Sequence, residues 1–501
     1  MSYPPPAGSA APPEHQTAPA FPAQAGPDGP LAPRPGTSAG GSAAPPPPAA
    51  PPARRSAFAE GFDRLRAAAT TEPGRLRIIG AVLAALVVLF GALTAWQVSA
   101  RSAAADDVIN RSQPLSADAA DIYRSLAGAN TTAATGFLEG GQEPPKVRER
   151  YDADIERASQ LLVKAAANSQ GAQESQKQIE KLNQALPVYT SLVETARANN
   201  RQGLPLGGAY LRYADEQMRE TLLPAAEQLY LSETRQLDED YADAKSWPWA
   251  ALVSGLLALG VLFWAQRRHY RRTNRVFNHG MLAASAATVV VLLWLSVGHT
   301  FARSGLGDSD RHGAQSMHAL NEARINTLRA RADENLTYVN RGSVTTEEGL
   351  DKYEDSYLKG MNELAGGKPD AEEAPEDSML GRAMELADDD QGREPIAEAM
   401  DNVREWREIH GEAQDKNVAG DYEAAKDMVI GGDGEKSTSE FFDQVDESLV
   451  EALEHERQEF KSAAEDGRGA LSGLWIGAAV LAVLGAAGAV FGIGRRLSEY
   501  R

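Results

Sequence analysis

The chain contains no cysteine. That excludes a disulfide framework, a thiolate metal centre and a thiol nucleophile. Histidine is sparse, with eight in 501 residues, and no His-Glu-x-x-His or comparable ligand spacing occurs. The acidic run Asp388-Asp389-Asp390 lacks the alternating acid–Gly–Glu layout of a calcium loop. No Gly-rich phosphate loop, nucleophile elbow or kinase signature is present. The sequence therefore offers no catalytic residue, no metal site and no cofactor site, and it reads as a protein that is not an enzyme.

Charge is missing from four long stretches. The runs 78–96, 249–265, 281–301 and 471–493 hold no Asp, Glu, Lys or Arg. An apolar run of about 17–25 residues is what a helix needs to cross the hydrocarbon of a bilayer. With their flanks these runs give transmembrane helices at 78–97, 247–265, 281–302 and 471–493. They come in two pairs, and each pair brackets a large polar region, 98–246 and 303–470. Trp96, Trp247, Trp249, Trp264 and Trp475 stand near run ends, where indoles favour the headgroup layer.

Charge also sets an expected orientation. Residues 1–97 carry 7 basic and 5 acidic side chains, and the connector 266–280 carries five arginines and no acid. The polar regions are the reverse, with 16 basic against 22 acidic residues in 98–246 and 19 against 42 in 303–468. Basic residues beside spans stay in the cytoplasm. This places both termini and the Arg loop inside, and both large domains outside, in a multi-pass protein of the cell membrane. The segment 1–77 is far longer than the short basic region that opens a signal peptide, so the first run is expected to be a retained anchor. The overall charge of −20 is outer-face acidity, and no nucleic acid partner is expected.

Residues 1–53 are rich in Pro, Ala and Gly, with Pro45-Pro46-Pro47-Pro48 at the centre of the richest part. Such a segment cannot bury enough apolar surface to offset its ordering entropy and is expected to be a disordered cytoplasmic tail. In 54–77, Phe58, Phe62 and Leu65 recur at helical spacing among six arginines, as in a basic amphipathic stretch on an anionic membrane surface. In 98–246, Ile179, Leu182, Leu186, Tyr189, Val193 and Ala196 step 3-4-3-4-3, the seam of a helix bundle. Three further periodic segments, separated by Gly- and Pro-containing breaks, make this an up-and-down four-helix bundle. Setting Arg101-Ser102 beside Arg303-Ser304 brings Leu126 level with Leu328 and Thr135 level with Thr337. The second region thus repeats the unit. The fold class is an all-α membrane protein with four spans and two extracytoplasmic four-helix bundles. The many carboxylates of the second bundle are expected to form a solvated outer face.

This architecture is similar to the four-helix-bundle sensory modules of bacteria. Residues 116–134, 187–212 and the closing Gly-Arg-Arg-Leu-Ser-Glu-Tyr-Arg (494–501) resemble the GlnX-type four-span membrane proteins of actinobacteria, over about residues 60–501. The resemblance implies amino-acid sensing together with an extracytoplasmic amino-acid-binding lipoprotein and a cytoplasmic Ser/Thr kinase or adaptor. The expected function is a non-enzymatic transmembrane signal relay. The alternative is a transporter-associated or scaffolding membrane protein without a switch. Since only 494–501 follow the last run, no output domain is expected there. Outer partner contacts are expected from Asn199, Asn200, Arg201, Tyr210 and Arg212, in the hairpin between the third and fourth helices of the first bundle. Inner contacts, to a partner or to anionic lipid, are expected from Arg267, Arg268, Arg271, Arg272 and Arg275. A homodimer is among the expected assemblies.

Overall fold

The computed structural model describes residues 72–140, 143–169, 172–273, 278–368, 375–431 and 436–497, with backbone alone at 72–73, 272–273 and 496–497. The tail 1–53, residues 54–71, Arg275 and 498–501 lie outside the described residues. The described residues are overwhelmingly helical and contain no strand.

The first half of the chain forms α1 (Glu72–Asp107), α2 (Gln113–Leu138), α3 (Pro145–Asn168), α4 (Gln173–Arg201), α5 (Leu206–Gln217), α6 (Leu223–Lys245) and α7 (Trp249–Thr273). The second half forms α8 (His279–Asp308), α9 (Gln315–Asn340), α10 (Lys352–Ala365), α11 (Met379–Leu386), α12 (Asp390–Val418), α13 (Tyr422–Ile430), α14 (Thr438–Leu471) and α15 (Leu474–Leu497). Four helical stretches are long and apolar enough to cross a membrane, and α1, α7, α8 and α15 carry their apolar windows. Leu256, Phe263, Leu293 and Phe491 on these helices face outward, as a lipid-facing surface requires.

α15 packs against both α1 and α8, and α7 packs against the same two helices. Small residues let the backbones touch. A Cβ placed on Gly280 would lie 2.2 Å from the Gly488 carbonyl oxygen, and one on Gly91 would lie 2.1 Å from the Ala482 methyl. Without a hydrophobic force between helices in lipid, such close packing is a principal source of association.

The first bundle follows the periodicity. Ile179, Leu182, Leu186, Tyr189, Val193 and Ala196 are all buried along α4. Its fourth helix is α5 and α6 joined by a π-helical turn at Met218–Leu222. In the second bundle the second helix is broken into α10 and α11. Gly366, with φ +88°, ends α10, and the Ser378 hydroxyl caps α11 by accepting from Gly381 N–H at 3.1 Å. The short α13 is inserted between the third and fourth helices, α12 and α14.

The connections to the apolar segments differ by helix. α1 passes into α2 through a π-helical turn, Val108–Ser112, and α8 passes into α9 through another, Ser309–Ala314. α2 begins at Gln113 and α9 at Gln315, the same offset that pairs Arg101 with Arg303, so both the sequence repeat and the π-turn recur at one register. Residues 74–138 and 279–340 are therefore unbroken helices of 65 and 62 residues, each roughly 90–100 Å long at 1.5 Å per residue. The returning helices are jointed instead. α6 and α7 part at residues 246–248, and α14 and α15 part at Ser472-Gly473, where Gly473 has φ +72°.

The two bundles share one core. Leu126, Tyr189 and Leu229 of the first and Leu320, Tyr357 and Trp406 of the second belong to a single contiguous buried cluster, with α2 packed along α9.

Candidate functional site

The site grows from the pairing of α2 with α9. The Thr131 hydroxyl lies 2.7 Å from the Leu328 carbonyl, and Asn335 Nδ2 donates to Thr135 Oγ1 at 2.8 Å. A cleft of about 640 Å³ opens beside this seam, walled by α2 and α3 from the first half and by α9 and α14 from the second. Its volume suits a small solute.

Charges of both signs face the cleft. Arg124, Lys146 and Arg150 come from the first half, and Arg324 and Arg331 from the second. Asp154, Asp443 and Asp446 answer them, and Thr131, Thr132 and Thr135 add hydroxyls. Arg324 is held by Asp446 through a two-pronged bridge at 2.6 and 2.9 Å. The buried Nε of Arg124 has no hydrogen-bond partner. Asp154 sits against α2 because residue 128 is glycine, since a Cβ there would be 2.7 Å from its Oδ2. Burial pushes the Asp154 carboxyl up to about 6, against the pull of Arg124 and Arg150.

Two charged networks lie behind the cleft, and both correct the expectation of a uniformly solvated acidic face. At the seam, Arg219 in the π-turn before α6 bridges Asp215 at 2.8 Å and also Asp333 of α9. Asn130 donates to Asp215 at 2.9 Å. Burial pushes Asp333 up to about 6 despite Arg219.

The second network fills the centre of the second bundle. Glu334 is fully buried and accepts from Arg331, from Trp406 Nε1 at 3.1 Å, and from Thr438 at 3.1 Å. His410 Nδ1 faces Glu334 at 2.9 Å and its Nε2 faces Glu354 at 3.1 Å. Both ring nitrogens meet carboxylates, so both carry protons. Burial opposes that charge, but the hydrogen bonds to Glu334 and Glu354 outweigh it and raise the His410 pKa. Arg331, which also lines the cleft, joins this network to the seam.

The hairpin expected to bind a partner lies at the end of the bundle far from the apolar segments. Asn199 Nδ2 donates to the Thr195 carbonyl at 2.8 Å, and Asn200 Nδ2 donates to Phe137 O at 3.5 Å. Tyr210 packs half-buried on the core, Arg212 donates to Asn340 of α9 at 3.3 Å, and Arg201 is exposed. These residues gather around the tips of α2 and α9, and other residues line the cleft. At the opposite end, Arg267 and Arg271 of α7 are exposed and Arg268 stands over the Trp264 ring at 5.5 Å. Arg272 is described by its backbone alone.

Residues 104–242 match the family model of the actinobacterial sensor domain. The match runs from the end of α1 through the first bundle to the last turn of α6. No curated protein and no solved structure matches the chain. A sensor-domain match joined to four helices long and apolar enough to cross a membrane supports a multi-pass sensory membrane protein.

Proposed function

We propose that the protein is a non-enzymatic transmembrane relay that reports an extracytoplasmic amino-acid cue to a cytoplasmic kinase or adaptor. In this reading both bundles face outward, while 1–77, the loop 266–280 and 494–501 face inward. The observation that carries it is the pair of unbroken helices, 74–138 and 279–340, which run from the apolar segments to the walls of the cleft. A displacement of about 1–2 Å between α2 and α9 travels along such helices without a joint to absorb it.

The cleft lining suits a zwitterion. Arg124 and Lys146 answer an α-carboxylate, and Asp154 answers an α-ammonium group. An acidic amino acid or glutamine is the favoured cue, as the resemblance to the GlnX-type proteins implies, and it acts by binding one packing of the halves more tightly than the other. A binding lipoprotein presents the cue at the far tip, where Asn199, Asn200, Arg201, Tyr210 and Arg212 gather. Inside, Arg267, Arg268, Arg271, Arg272 and Arg275 contact the kinase or adaptor and anionic lipid.

The test is a titration of glutamate, aspartate and glutamine, with lysine as control, into the purified full chain in nanodiscs, alone and with its copurified lipoprotein. Saturable binding that Asp154→Ala weakens is the expected result. A parallel pull-down replaces the five loop arginines with Gly/Ser and should lose the kinase. Absence of amino-acid binding in both formats, with the kinase retained by the replaced loop, would instead leave the scaffold reading standing.

A further inference from the structure

At the base of the second bundle, Asp389, His455 and Glu459 bring three ligand atoms within 4.8 Å of one another. His455 Nε2 lies 3.0 Å from Asp389 Oδ1 and 3.6 Å from Glu459 Oε1. Asp389 caps α12, and Gly392 N–H donates to its Oδ1 at 2.8 Å. His455 and Glu459 stand one turn apart on α14. All three are partly exposed, so an ion has access.

A second observation concerns Glu456. Its side chain is 1% exposed, and neither carboxylate oxygen has a hydrogen-bond partner. The neighbouring Ser316 hydroxyl closes no well-formed bond to it. Glu456 packs at the Gly392 backbone next to the triad: a Cβ on Gly392 would meet Glu456 Oε1 at 3.0 Å and the His455 ring at 3.4 Å. Burying a carboxylate without a donor or a counter-charge is costly. Asp388, Asp389 and Glu459 add negative charge beside Glu456.

We propose that this cluster binds a divalent transition-metal cation of the Zn²⁺ type, with Asp389, His455 and Glu459 as ligands. Ligands held about 2.0–2.1 Å from a tetrahedral ion lie about 3.3 Å apart, and the spacings of 3.0 and 3.6 Å bracket that value. The imidazole selects against Ca²⁺ and Mg²⁺, which take oxygen donors. The Gly392 N–H orients the Asp389 carboxylate, as outer-shell groups do in metal sites. Bound there, the ion clamps the start of α12 onto α14, on the bundle side of the joint to α15.

The experiment uses the full chain in nanodiscs, freed of any purification tag and stripped with chelator. Zn²⁺ is titrated by calorimetry and by competition with a chromophoric chelator. One equivalent should bind, and His455→Gln or Glu459→Gln, each removing a direct ligand, should weaken binding by at least the roughly 10- to 100-fold that loss of an outer-shell partner costs. His318→Gln, a substitution outside the cluster, should leave it unchanged. Far-UV circular dichroism checks that each variant keeps its helix content. Because a variant can lose its fold, Co²⁺ is also added to the unaltered chain, where intense visible bands mark a low-coordinate nitrogen/oxygen site. Failure to bind Zn²⁺, binding that ignores His455→Gln and Glu459→Gln, or Co²⁺ with only the weak bands of the hydrated ion would overturn the proposal.

Discussion

Replacing Arg219 with Met tests how firmly the two bundles are docked. Arg219 is the cation between Asp215 of the first half and Asp333 of the second, and it also stands 5.7 Å from the Tyr353 ring. Methionine keeps much of the stem but leaves two buried carboxylates without their counter-charge. Breaking one side of a buried ion pair costs about 3–5 kcal/mol. The bundles share one core and should melt together. At about 2.1 cal/mol/K per residue, a unit of roughly 300 residues has a melting entropy near 0.6 kcal/mol/K, so the loss lowers Tm by about 5–8 °C. The deficit is expected at pH 7.5 and should narrow at pH 5. Burial already pushes Asp333 up to about 6 with Arg219 present, and without the guanidinium the folded protein takes up a proton there more readily. Between these pH values the folded variant then binds more protons than the unfolded chain, so its stability rises as pH falls. The assay is thermal unfolding at 222 nm of the full chain in detergent, with Arg219→Lys as an intermediate case. A Tm within about 1 °C of the unaltered protein, a deficit that grows on acidification, or two separate transitions would refute the reasoning.

Two further outcomes follow from buried positions. Gly280→Ala puts a methyl 2.2 Å from the Gly488 carbonyl and should cost about 1–3 kcal/mol as α8 and α15 are forced apart; Gly260→Ala, with nothing within 4 Å, should be neutral in the same detergent melt. His410, whose pKa is raised in the folded state by Glu334 and Glu354 against the effect of burial, contributes stability that is complete below about pH 6.5 and is lost as pH rises through the raised value. Fluorescence of Trp406, whose indole donates to Glu334, reads that loss, and His410→Gln should remove this part of the alkaline slope.

The spans were legible because a long apolar run without a single charge suits a bilayer and little else. The seam of α4 was legible because its residues keep a strict 3-4 step, and the repeat because Arg101-Ser102 and Arg303-Ser304 hold the register at which α2 and α9 begin. Periodicity could not say which buried face meets a sibling helix and which meets the other half, so the docking of α2 on α9 was hidden. The buried charges were hidden by their setting. Asp333 and Glu334 sit in a domain so acidic that any carboxylate looks solvated, and their partners Arg219 and His410 lie on other helices, remote in sequence. The cleft walls are just as remote from one another, and so is Asp389 from His455. His455 and Glu459 are one turn apart on a single helix, a spacing compatible with a shared ion, but a search for paired histidines passes over it. The joint at 246–248 contains Pro248, a break visible in the sequence, whereas the π-turns at 108–112 and 309–314 carry no such mark.

The docking of α2 against α9 is tested most directly by a cysteine pair. The natural chain has no thiol, so Thr135→Cys with Asn335→Cys introduces the only two, at side chains now 2.8 Å apart. After treatment in membranes with a short bis-methanethiosulfonate cross-linker, proteolysis of the Arg-rich connector 266–280 should leave the two fragments joined until a reductant is added. Fragments that separate without reductant, or a bridge that forms only between chains, would contradict the docking of the two bundles within one molecule.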